Sequence, residues 1–90
     1  MDDPAGLRSL ATLRKGAAGV VTQVLEGDAG VVGDATGATI GRRLVELGFV
    51  PGERVRVVEQ VWPGGDPIAV RVGGTVFALR RREASAVIVR

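Results

Sequence analysis

The sequence predicts a mainly β domain, a small, partly open five-stranded barrel covered by one short α-helix. Three observations carry this reading. Valine-rich runs that alternate with polar residues recur at short spacing, among them Arg54-Val55-Arg56-Val57 and Ile68-Ala69-Val70-Arg71-Val72. Glycine and proline pairs, Pro51-Gly52 and Gly73-Gly74, separate them as tight turns would. Helical spacing is clear in one stretch, where Ile40, Leu44 and Leu47 fall at i, i+4 and i+7. A sandwich needs more strands, and closure into a barrel hides edges that a valine-rich chain would otherwise leave open.

Along the chain, residues 1–8 read as a flexible N-terminus and residues 9–90 as the domain. Ser9 to Leu13 suits either a single helical turn or an extended segment that tucks its leucines under the barrel. The first strand is expected over Ala17 to Leu25, with Gly19 marking a bend or a close backbone approach. Glu26 to Thr39 reads as a glycine-rich loop with room for a short strand at Gly30-Val31-Val32, and Thr36 or Thr39 is the expected N-cap of the helix. That helix is expected over about residues 39–47. Gly48 stands where a helix end needs positive φ, Phe49 where a Schellman ending folds an apolar residue back, and Pro51 confirms the stop.

Beyond the helix, the alternation of the Arg54 strand breaks at Val57-Val58, as it does at a bulge in a barrel strand that serves two sheets. Trp62 to Pro67 is a loop by composition. Ile68 to Val72, Gly73-Gly74 and Thr75 to Leu79 form a hairpin. Arg80 to Ser85 has the length of one 3₁₀ turn. Ala86 to Val89 closes the chain as a last strand paired back to an early one.

Ninety residues make one domain with a thin core, since a chain of this size buries about 60% of its unfolded surface. The chain contains no cysteine and no histidine, so disulfides are excluded and the two best transition-metal ligands are missing. No leader or membrane-spanning stretch is expected, and a cytoplasmic location fits. Net charge is only +2, but it is uneven: the first 40 residues hold three basic and five acidic side chains, and the remaining 50 hold nine and five. A positive face on the second half follows.

The glycines at 27, 30, 33 and 37 match neither the Walker arrangement nor G-x-G-x-x-G, so no phosphate-cradling loop is expected. Carboxylates are scattered, with only Glu26 and Asp28 close in a loop, so neither a metal site nor a cofactor site is expected. Catalysis lacks a base and nucleophile at recognisable spacing. The candidate partner-binding residues are Trp62, as an anchor for a partner's pocket or as a cover for the barrel end, and a cationic patch of Arg42, Arg43, Arg80, Arg81 and Arg82.

The ordered set of motifs resembles the ferrous iron transport protein A (FeoA) family over about residues 10–90. The matching residues are Leu10 with Lys15-Gly16, then Gly19 and Val21. Arg43-Leu44, Glu46-Leu47-Gly48-Phe49 and Pro51-Gly52 follow, then Asp66-Pro67-Ile68-Ala69-Val70. Gly74, Phe77-Ala78-Leu79-Arg80, Glu83-Ala84, Val87 and Val89 complete the set. The resemblance implies a Src-homology-3-like (SH3-like) barrel and a non-enzymatic accessory of ferrous iron uptake. It also implies a partner, the cytoplasmic GTP-binding region of the transporter FeoB. The chain departs from the family in a longer Glu26 to Thr39 segment and a few extra N-terminal residues. Two other readings are a nucleic-acid-binding small barrel and a detached relative of the barrel domain of metal-dependent repressors.

Overall fold

A computed structural model describes residues 6–25, 40–61 and 64–90. The first element is a two-residue strand, β1 (Arg8–Ser9), followed by a 3₁₀ turn at Leu10–Thr12 that begins where the Ser9 side chain accepts the Ala11 N–H. Then come β2 (Ala18–Val24), helix α1 (Ile40–Leu47), β3 (Arg54–Gln60) and β4 (Ile68–Val72). The chain ends with β5 (Thr75–Leu79), a single helical turn α2 (Arg81–Ala84) and β6 (Val87–Val89). The strands hydrogen-bond in the order β1-β6-β2-β3-β4-β5, every pair antiparallel.

Among the described residues the expected five strands become six, because Arg8 and Ser9 pair with Val89 and Ile88. A two-residue strand has no periodicity of its own, so its existence is decided by β6. That last strand lies between β1 and β2 and is held on both sides. It is the return to an early strand that the sequence called for.

The strand shared between two halves of the sheet is β2. Ala18 to Val20 pair with β3, and Val21 to Val24 pair with β6. The ladder shifts register between Val21 and Gln23, and the Thr22 hydroxyl bonds the Ile88 carbonyl at 3.1 Å beside the shift. The break expected at Val57-Val58 is also real: the β3–β4 register shifts between Val57 and Glu59. β3 nonetheless stays in one sheet, paired to β2 on one side and β4 on the other. At Gly19 the close approach is confirmed, because an added Cβ would lie 3.1 Å from Val89 and 3.2 Å from the Arg90 carbonyl oxygen.

Helix α1 stops as its sequence requires. Phe49 N–H bonds the Leu44 carbonyl and Gly48 N–H that of Val45, both at 3.0 Å, with Gly48 at φ +113°. These two bonds are the Schellman pattern. They turn Phe49 into the core, where it is fully buried beside Leu44. The core also takes Leu10, Val21, Val55, Val57, Val70, Leu79, Val87 and Val89, and among the described residues no polar or charged residue is buried. The domain's polar chemistry is therefore carried on its outside.

The hairpin β4–β5 forms around Gly73-Gly74, with Gly73 at φ +59°, as the first position of a type II′ turn needs. The segment Arg81–Ala84 is α-helical rather than 3₁₀, because the carbonyls of Arg80 and Arg81 accept from residues four further on, Ala84 and Ser85. The Glu26 to Thr39 loop, with its expected strand and N-cap, lies outside the described residues.

Candidate functional site

Helix α1, which carries Arg42 and Arg43, comes into contact with α2, which carries Arg81 and Arg82 and follows Arg80. Glu83 of α2 ties them together. Its carboxylate accepts the Arg80 N–H at 2.9 Å and lies 3.6 Å from the Arg43 guanidinium. Arg42 pairs with Glu46 one turn along α1 at 3.4 Å. The Arg42–Glu46 pair is exposed and worth about 0 to 1 kcal/mol, so it positions the guanidinium more than it stabilises the fold, while Glu83 is the more sheltered carboxylate of the two.

Arg81 has a different place. Its backbone N–H bonds Asp66 Oδ1 at 3.0 Å, and its guanidinium reaches the carbonyls of Gly65 at 3.3 Å and Ala11 at 3.1 Å. It joins the turn before β4, the N-terminal 3₁₀ turn and α2. Arg80 and Arg82 are exposed, and among the described residues no carboxylate lies within ion-pair distance of either. Trp62 lies outside the described residues, so its place relative to the arginines is not part of this geometry.

A second cationic surface emerges only from strand register. Arg56 on β3 stands directly opposite Arg71 on β4, and Arg71 directly opposite Val76 on β5. Cross-strand partners share a face, so Arg56, Arg71 and Val76 form one row on the outside of the sheet, with Arg54 on the same face two residues from Arg56. Like charges placed opposite each other are destabilising. Arg56 relieves part of this by donating to the Gly16 carbonyl at 2.7 Å. Alternation in Arg54-Val55-Arg56 marked a wet face, but the approach of Arg71 depends on the pairing of β3 with β4. Further along β3, past the register shift, Glu59 pairs with Lys15 at 3.2 Å. Hydrogen bonding to Lys15 and to the Gln60 N–H, with the lysine's charge, holds the Glu59 carboxyl below the usual glutamate range.

On the outer face of β1, β6 and β2 lies an open groove of about 300 Å³ lined by Leu7, Arg8, Ser9, Gln23, Leu25 and Ile88. Leu25 at its rim is 44% exposed. Among the described residues no three His, Cys, Asp or Glu side chains converge as a metal-binding group would. No helix among them is long and apolar enough to cross a membrane.

The comparisons agree with this architecture. FeoA in its zinc complex from Stenotrophomonas maltophilia, an SH3 domain protein, matches at 43% identity and a TM-score of 0.72, over 92% of this chain and 89% of that one. FeoA from Chlorobium tepidum matches at 30% identity and 0.67, over 91% and 69%. A manganese-dependent transcriptional repressor in complex with manganese matches at 25% identity and 0.71, over 98% of this chain but 37% of the repressor. No curated protein sequence matches. The family model for the FeoA domain matches residues 8–90, which takes in every strand and both helices. An SH3-like barrel with this strand order and this match is a member of the FeoA family, associated with ferrous iron transport, and the chain belongs to it.

Proposed function

We propose that this chain is a non-enzymatic cytoplasmic accessory of ferrous iron uptake, which binds the cytoplasmic GTP-binding region of a FeoB-type transporter and modulates it. The observation that carries the reading is the FeoA match over residues 8–90, joined to 43% identity with a FeoA of known structure. The chemistry of the chain supports a binding role. Its core is apolar throughout the described residues, and its charged groups lie on the surface in arginine-rich sets. Such a surface suits recognition of an acidic partner. A nucleic-acid role would call for aromatic rings free to stack on bases. Phe49 is buried and half-buried Phe77 packs against it with ring centroids 6.2 Å apart, so both rings belong to the core packing and form no row of stacking platforms.

The test is an NMR titration of the full chain with the transporter's isolated cytoplasmic GTP-binding region, paired with GTP hydrolysis rates. Saturable shifts confined to one face, and a changed hydrolysis rate, are expected. Absence of binding, with a salt-sensitive shift of RNA or DNA in its place, would sink the reading.

A further inference from the structure

Among the described residues strand β5 ends the sheet, with β4 on one side and no strand on the other. Its ladder with β4 runs without a register shift from Val72↔Thr75 to Ile68↔Leu79. A two-residue hairpin closes on a hydrogen-bonded pair, here Val72 and Thr75. Alternation then sends the N–H and C=O groups of Thr75, Phe77 and Leu79 toward β4 and those of Val76 and Ala78 outward. Among the described residues no hydrogen bond meets those outward groups. Thr75 and Ala78 are exposed, and Val76 is 47% exposed.

Proteins blunt such edges with lysine, proline, bulges or a covering element. Thr75-Val76-Phe77-Ala78-Leu79 has no charge, no proline and no bulge. The cationic row adjoins this edge. Arg71 stands directly behind Val76 on the same face, with Arg56 behind it. Arg80 has extended backbone angles (φ −66°, ψ 152°) and so continues the strand's alternation past Ala78. An unprotected strand edge beside unneutralised arginines is complementary to an extended chain whose outer-face residues are acidic.

We propose that the outer edge of β5 accepts an extended acidic segment of a partner protein as an added strand, with Val76 and Ala78 pairing to its backbone and Arg71 and Arg80 reading its carboxylates. Backbone pairing supplies affinity and alternate side chains supply specificity, as in other strand-addition complexes. Residues opposite Val76 and Ala78 are acidic in this arrangement, and the one between them, facing half-buried Phe77, is apolar. A second copy of this chain is the poorer occupant, because edge-to-edge pairing of two copies brings together two arginine rows of the same sign. The proposal rests on the reading of the chain as a partner-binding module and names its contact surface.

The test is an NMR titration of the full chain with the peptide acetyl-Thr-Glu-Val-Glu-Thr-amide and with its counterpart bearing lysine for glutamate. The amides of Val76 and Ala78 should shift and gain protection from exchange, and the glutamate peptide should bind at least about tenfold more tightly. Ala78→Pro removes an outward N–H and leaves the β4 ladder intact, so it should cut affinity about tenfold or more. Arg71→Glu leaves the backbone alone and should reverse the preference between the two peptides.

Shifts on another face, equal binding of both peptides, or β5 protection that rises with protein concentration and no peptide would each overturn the proposal, the last in favour of a second copy. If the transporter region binds the wild type and Ala78→Pro alike, the accessory role stands and the edge proposal falls. If the peptide result holds and the transporter region does not bind, the reverse is true.

Discussion

Gly48 shows how much one residue can decide. Its φ of +113° is open to glycine and strained for every L side chain, and the two hydrogen bonds that end α1 depend on it. Gly48→Ala should therefore cost about 1 to 3 kcal/mol, read as a lower urea midpoint at unchanged slope. Full retention of stability would mean the helix end can be rebuilt another way. Lys15 and Glu59 make a prediction of a different kind. A carboxyl whose folded value is lowered adds stability above the ordinary glutamate value of 4.5, and that contribution is lost as pH falls through the folded value. Side-chain carboxyl NMR should place the Glu59 midpoint below the ordinary value, and Lys15→Ala should raise it. Because the pair is exposed, the loss in stability should be small. Arg81 belongs at this scale too. Composition made it one more cation in a patch, and its bonds to Gly65 and Ala11 emerge only when three distant segments meet.

Elements whose signal is local were legible in the sequence. The hairpin Ile68 to Leu79 needed only alternation and Gly73-Gly74, and α1 needed only the Ile40, Leu44 and Leu47 stripe with its Gly48-Phe49 ending. β1 was not legible, because Arg8 and Ser9 become a strand only when Ile88 and Val89 arrive beside them. The same reason hid the arginine row. Arg56 and Arg71 are separated by a loop, and nothing local says that they face each other. Helix α1 gives this scale its test. Eight residues cannot hold a helix in water, so tertiary packing must supply its stability. Leu44, at 1% exposure, and Ile40, at 5%, are its buried core contacts. Leu44→Ala should cost about 2 to 5 kcal/mol, out of a total of about 5 to 13 kcal/mol for a domain this size. Urea unfolding should register that loss, and a change below about 1 kcal/mol would mean that α1 is not part of the core.

At the scale of the whole molecule, order in the sheet follows order along the chain with one exception, β6. The last strand in sequence, β6, is second in the sheet and carries hydrogen bonds on both sides. Val87 and Val89 are both fully buried. Removing residues 87–90 would strip β1 of its partner, leave Val21 to Val24 of β2 without theirs, and open the core between them. Two buried valines represent about 3 to 6 kcal/mol of apolar burial before any ladder hydrogen bond is counted. That is comparable with the whole stability of the domain, so the truncated chain should show a collapsed, poorly dispersed amide spectrum and no cooperative urea transition. Removing residues 1–6 interrupts no described strand and should leave both intact. A truncated chain lacking 87–90 that still unfolds cooperatively would mean that β2 to β5 and α1 close a core by themselves, with β6 only laid against it.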